Sequence, residues 1–182
     1  MIMRTIQVPQ KEQVSTDSQV LFEQLTKRLG RVPNLYATIG YSANALKGFL
    51  DFEATLNKGT FSAKEREAIS LVVSEVNGCN YCLAAHTLVA MKNGFSQEDT
   101  LAIRRAHVDN PRLQVTIELA KSVAENKGHA DQTKLDNFFA AGFTEAAVMD
   151  LIGLVTVRVF TNYVYALTDV PVDFPAAEPL TH

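Results

Sequence analysis

Residues Glu67 to His86 read EAISLVVSEVNGCNYCLAAH, and this stretch decides the fold. Ile69, Val72, Val73 and Val76 recur at i, i+3, i+4 and i+7, one face of an α-helix turned toward a core. Ser62 caps that helix, with Glu65 three residues on completing a capping box. Asn77-Gly78 breaks it, and a new helix starts at or just before Cys79. That second helix runs to about Lys92 and stops at Asn93-Gly94. The centre of the chain is therefore two helices joined by a tight turn, with both cysteines of the protein at the start of the second.

Outward from this hairpin the same signals repeat. Residues 1–15 read as extended or loosely ordered. A helix from about Asp17 to Arg28 places Leu21, Leu25 and Leu29 on one stripe and ends at Gly30. Pro33 opens a short helix through Ile39, and another, about Ser42 to Asn57, turns Leu46, Phe49, Leu50 and Leu56 inward. Toward the C-terminus, Ser96 caps Gln97 to Ala106, and Asn110-Pro111 starts Arg112 to Glu125. Asp131 to Ala140 ends at Gly142, and Thr144 caps a long helix to about Leu167. No strand pattern is visible. The prediction is one all-α domain over 1–182, a helical bundle with extended segments at about 1–15 and 170–182. Gly94-Phe95-Ser96 and Gly142-Phe143-Thr144 make a faint echo 48 residues apart, which a duplicated helical hairpin or ordinary loop chemistry would each explain.

Composition narrows the function. At 182 residues and 47% hydrophobic, the chain is long and apolar enough to bury a core. A net charge of −3 argues against nucleic acid, which wants a basic face. The apolar run Met149 to Leu167 approaches membrane-spanning length, but Thr156, Arg158, Thr161 and Asn162 interrupt it, so it reads as a buried helix and no membrane is expected. The first ten residues show no signal-peptide pattern, and a cytoplasmic location is expected. In that reducing compartment a close cysteine pair points to redox chemistry, catalysis or metal before it points to a structural staple.

On a helix, positions 79, 82 and 86 fall within about 60° of one another. Cys79 and Cys82 are then close enough to cycle between dithiol and disulfide, and the helix start favours a thiolate. His86, four residues after Cys82, is placed to take the thiol proton, and Glu67 is the candidate to orient it. Glu75, closer in sequence to Cys79, competes for that role. Which cysteine attacks is not settled by spacing: the helix dipole favours Cys79, while proximity to the base tilts the choice to Cys82.

The pattern of Glu67, eleven residues, Cys79-Asn80-Tyr81-Cys82, three residues and His86 resembles the signature of the alkyl hydroperoxidase D-like proteins of the carboxymuconolactone decarboxylase-like family. The resemblance runs on through Gly94-Phe95-Ser96 and covers about residues 30 to 175. It implies an all-helical, peroxidase-related oxidoreductase that reduces hydroperoxides. Cys82 would be the peroxidatic residue, Cys79 the resolving one, and Glu67 with His86 a proton relay. It also implies a homo-oligomer, trimer or hexamer, a dithiol reductant of the lipoyl-bearing kind, and no cofactor. Family members often carry histidine before the second cysteine, where this chain has Tyr81, a poor base at neutral pH. The decarboxylase branch typically lacks the cysteine pair, which disfavours lactone decarboxylation here.

Rival readings start from the same residues. Cys79, Cys82 and His86 are zinc-ligand types without an obvious fourth member, and buried cysteines can be inert. A helical redox sensor or interaction protein would use the thiols without turnover. Thioredoxin chemistry lacks its strands, and Leu83 after Cys82 excludes a c-type haem attachment. His107, His129 and His182 read as exposed or locally bonded, and Arg104-Arg105 as a solvated face. Arg158, inside the apolar last helix, calls for a carboxylate partner within the chain or across subunits.

Overall fold

The computed structural model describes residues 5–180, and over them the chain is all-helical with no strand. A 3-10 turn at Lys11–Gln13 precedes α1 (Thr16–Leu29), α2 (Asn34–Ile39), α3 (Ala43–Leu56), α4 (Ala63–Val76) and α5 (Asn80–Lys92). Then come α6 (Gln97–Arg104), α7 (Pro111–Glu125), α8 (Gln132–Ala140) and α9 (Glu145–Thr168). Polar caps set most of the starts. Ser62 accepts from the Glu65 N–H while Glu65 accepts from the Ser62 N–H, and Ser96 with Asp99 repeats the arrangement. Asn110 and Thr144 cap α7 and α9, as their sequence positions predict.

Four details depart from the expectation. Residues 1–4 lie outside the described residues, and residues 5–15 are not wholly extended, because Lys11–Gln13 close a 3-10 turn through Gln13 N to Gln10 O. In α1 the buried positions are Ser18, Phe22 and Leu25, whereas Leu29 is exposed on the last turn. Three leucines at i, i+4 and i+8 drift about 80° around the helix, enough to carry the third off the core. α6 stops at Arg104, where Ala106 turns left-handed at φ 56 and His107 N bonds back to Ala102 O. Arg104 itself is buried rather than solvated. His182 lies outside the described residues.

α4 is the central helix. Its residues from Ala68 to Ser74 are all buried, and it packs against α5, α6, α7 and α9. One apolar cluster joins Ile69, Val72, Ile117, Phe138 and Leu151 across α4, α7, α8 and α9. A second joins Phe22, Leu25, Leu46 and Phe49 of α1 and α3 to Cys79, Tyr81 and Cys82. The cysteines thus belong to the core contributed by the N-terminal helices.

The echo between the two Gly-Phe-Ser/Thr junctions is wider than the sequence suggested. α4 and α7 start at Ala63 and Pro111, and α6 and α9 at Gln97 and Glu145, both 48 residues apart. α5 and α8 end at Lys92 and Ala140 with the same spacing. Gly94 and Gly142 hold φ of 91 and 88, and Phe95 and Phe143 are both buried. Two three-helix units therefore repeat in register, although α9 is far longer than α6.

α9 is long and apolar enough to cross a membrane by composition. Here it packs on α3, α4 and α7 and buries Arg158 in an ion pair with Glu53 of α3. Its outward stripe of Met149, Ile152, Phe160, Tyr163 and Leu167 is exposed.

Candidate active site

The three-residue turn between α4 and α5 makes Cys79 the N-cap of α5. Its sulfur accepts the Cys82 N–H at 3.2 Å, a place where Ser, Thr, Asp or Asn is usual. Cys79 and Cys82 are paired as a disulfide with their Cα atoms 5.3 Å apart. Both are almost fully buried, at 1% and 3% exposure, yet they differ in what they face. Cys82 lines a cavity of about 360 Å³, and Cys79 does not.

Glu67 of α4 and His86 of α5 come together as the spacing predicts, with His86 Nδ1 2.8 Å from Glu67 Oε2. A residue from the far end of the chain completes the row. Arg158 Nη1 lies 2.8 Å from His86 Nε2, and Arg158 Nη2 donates to Glu53. A guanidinium only donates, so Nε2 must be the acceptor and the imidazole is neutral, with its proton on Nδ1 toward Glu67. Among the described residues no hydrogen bond joins His86 to Cys82, because both ring nitrogens are already engaged.

Burial pushes the Glu67 carboxyl up, but His86, Arg158 and Arg66 together more than offset it and hold it below the usual carboxylate range. Burial likewise works against charge on Arg158, and Glu53 leads the groups that restore it. Tyr36 shares the cavity and is pushed well above the ordinary phenol range by burial and then by Glu53, so it presents an O–H. Arg158, Glu53 and Tyr36 were not among the expected site residues. The one sequence signal for them was a lone arginine in an apolar helix, and its carboxylate proves to lie within the chain.

The cavity wall is largely apolar, with Leu35, Leu88, Val89, Phe174 and Pro175 beside His86 and Arg158. Part of it is the tail beyond α9, whose Asp173, Phe174 and Pro175 line the cavity. Glu75, the rival for the relay, is elsewhere: it accepts from Arg104 Nε at 2.6 Å, away from His86. Arg104 also donates to the Glu178 carbonyl, which pins the end of the tail. Among the described residues no three His, Cys, Asp or Glu side chains gather as metal ligands. The cysteines hold each other, and Glu67 and Arg158 hold His86.

Residues 43–122 match the model of the carboxymuconolactone decarboxylase family, a span that contains Glu67, Cys79, Cys82 and His86. No protein of curated function matches the sequence. Among solved structures, the alkylhydroperoxidase AhpD core of a peroxidase-related protein from Ralstonia eutropha JMP134 is 19% identical, with 91% of this chain and 90% of that chain covered and a TM-score of 0.81. A peroxidase-related protein from Silicibacter sp. TM1040 is 20% identical, covering 95% and 93%, with a TM-score of 0.76. The debrominase Bmp8, as a cysteine-to-alanine variant in complex with 2,3,4-tribromopyrrole, is 16% identical, covering 94% and 93%, with a TM-score of 0.79. At such identities these likenesses speak for the fold, and the family match covers the hairpin that carries the site. The chain has the all-helical fold of the alkyl hydroperoxidase D-like structures, and its residues 43–122 are similar to the carboxymuconolactone decarboxylase family.

Proposed function

We propose that this protein is a thiol-dependent peroxidase in which Cys82 attacks and Cys79 resolves. The observation that carries the assignment is the division of the pair by the cavity wall. Cys82 faces the space shared with His86 and Arg158, while Cys79 sits behind it as the helix cap. In the reduced protein the Cys82 thiolate attacks the outer oxygen of a hydroperoxide, which breaks the O–O bond and leaves a sulfenic acid and an alcohol once the alkoxide is protonated. The Cys79 thiol then displaces water from the sulfenic acid and closes the disulfide. An external dithiol restores both thiols and is itself oxidised to a disulfide.

The Arg158 guanidinium on the cavity favours the Cys82 thiolate. His86, neutral and oriented by Glu67, becomes the proton acceptor once Arg158 turns from its Nε2 toward the reacting oxygens. The cycle needs a supply of dithiol, which suits the cytoplasm and a lipoyl-bearing donor. The exposed α9 stripe is the surface on which we expect the homo-oligomer to form, and light scattering at micromolar concentration checks it.

Turnover tests the function. Reduced protein supplied with hydroperoxide and dihydrolipoamide should consume many equivalents of peroxide per chain. One oxidation per chain and no more would make it a sensor. Reduction of 2,3,4-tribromopyrrole without peroxide turnover would replace the peroxidase assignment with dehalogenation by the same dithiol.

A further inference from the structure

Tyr81, between the two cysteines, makes no hydrogen bond to Glu67 or His86, and its hydroxyl does something else. It accepts the Leu35 N–H at 3.2 Å at the start of α2 and donates to Asp173 Oδ1 at 2.6 Å in the tail. The other oxygen of Asp173 takes the Asn34 N–H at 3.1 Å and Arg31 Nη1 at 2.5 Å, and its carbonyl takes Arg31 Nη2 at 2.7 Å. Asn34 Nδ2 adds a bond to the Pro171 carbonyl at 3.0 Å. Next to this knot, the Phe174 ring lies edge-on to Tyr81 at 5.5 Å and under the Arg31 guanidinium at 4.6 Å. Phe174 and Pro175 then form part of the cavity wall beside Cys82.

We infer that Tyr81 is a positioning residue that latches the strap Pro171–Pro175 over the Cys82 cavity, and that this latch determines which molecules reach the thiol. The strap has no helix or sheet to hold it, so its place depends on side-chain bonds, and Asp173 accepts most of them. Burial and then the bond to Asp173 push the Tyr81 phenol well above its ordinary range, so the hydroxyl stays a donor across the physiological pH span. Histidine at this position could join a proton relay. Tyrosine exchanges that role for control of the wall beside Cys82, which favours narrow substrates over bulky ones.

This inference rests on Cys82 being the attacking thiol, and the experiment separates the two. In a Cys79→Ser background, where Cys82 is the sole thiol, the alkylation rate by iodoacetamide is compared with that by the bulky N-(1-pyrenyl)maleimide. Adding Tyr81→Phe keeps the ring and removes both hydroxyl bonds, and adding Asp173→Asn keeps the size and removes the charge that holds Arg31. Each should raise the bulky-to-small rate ratio about tenfold, the scale of one lost charge-assisted bond, and each should speed proteinase K cleavage within the strap. With the native cysteine pair, the same substitutions should lower the KM for cumene hydroperoxide relative to that for hydrogen peroxide. An unchanged alkylation ratio and unchanged cleavage in both variants would overturn the latch. If those two readouts shift while the unaltered protein turns over no hydroperoxide, the latch stands and the peroxidase assignment falls.

Discussion

The two three-helix units share a 48-residue register but differ at the turn into their middle helix. In the first, three residues separate α4 from α5, and the cap of α5 is the sulfur of Cys79. In the second, six residues separate α7 from α8, and the cap is the Asp131 carboxylate, which accepts from Thr133 N and Lys134 N. At the register positions of Glu67, Cys79, Cys82 and His86 the second unit has Val115, Lys127, Ala130 and Lys134. One unit therefore places reactive groups where the other places ordinary stabilising ones. The second still takes part, since α9, the counterpart of the short α6, is long enough to return Arg158 to His86. The proposed chemistry thus sits on the first unit, with the extension of the second bringing Arg158 to His86.

The largest effects should come from the cysteines. Cys82→Ser should lower peroxide turnover by at least ~10³-fold, because the hydroxyl is a far weaker nucleophile at neutral pH. Cys79→Ser should still yield a sulfenic acid at Cys82, trapped by dimedone and read by mass spectrometry, and then stall after one event. A sulfenic acid on Cys79 in the Cys82→Ser protein, with turnover retained, would exchange the two roles.

Arg158 comes next. Arg158→Met leaves Glu53 without its partner and His86 Nε2 without its donor. Breaking a buried pair from one side costs about 3–5 kcal/mol, measured here by urea unfolding. Glu53→Gln in the same chain should recover part of that loss, since the orphaned charge is then gone. If Arg158→Met and Glu53→Gln each cost under about 1 kcal/mol, the buried ion pair does not tie α9 to α3 as described.

The fold was legible because its signals are local. Ser62 with Glu65, Asn110-Pro111 and the glycines after α1 and α5 act within a few residues, and the helix bounds follow them closely. Glu67 and His86 were legible as partners because a hairpin with a short turn leaves few ways to face each other. Arg158 and the strap were not, since they reach the site across more than 70 residues, and Glu53 enters through its pair with Arg158, 105 residues on; no short-range pattern encodes these contacts. Arg104 misled for the same reason. Its partners, Glu75 and the tail carbonyl of Glu178, lie on distant segments, so a residue that reads as solvated is in fact buried.

Glu67 gives a smaller, pH-dependent effect. Its folded-state pKa is depressed, so the stability it contributes is fully present above its unfolded value of about 4.3 and is lost as pH falls through the lower folded value. Glu67→Gln should therefore be less stable than the unaltered protein near neutrality, by roughly 1–3 kcal/mol for a charge-assisted bond, with the gap closing as pH drops below about 4. Turnover should fall about tenfold, equivalent to ~1.4 kcal/mol of transition-state support. Glu75→Gln should leave turnover alone, and a loss there with none at Glu67 would reassign the relay.

The smallest effect tests the comparison of caps directly. Sulfur is a weak acceptor, so the first unit caps α5 less well than the second caps α8. With the disulfide reduced, Cys79→Ser should stabilise the chain by about 0.5–1 kcal/mol relative to the reduced unaltered protein, since a serine oxygen is a preferred acceptor for the same N–H. Asp131→Ala should move the other way by about 1 kcal/mol, because two N–H groups lose their acceptor. Both are read by thermal unfolding in excess reductant, so that loop closure by the disulfide does not enter. Opposite signs would show that the first unit gives up helix stability to hold a thiol at the cap. A loss in Cys79→Ser as large as that in Asp131→Ala would mean that Cys79 is held there by its apolar packing against the N-terminal helices, with the cap bond incidental.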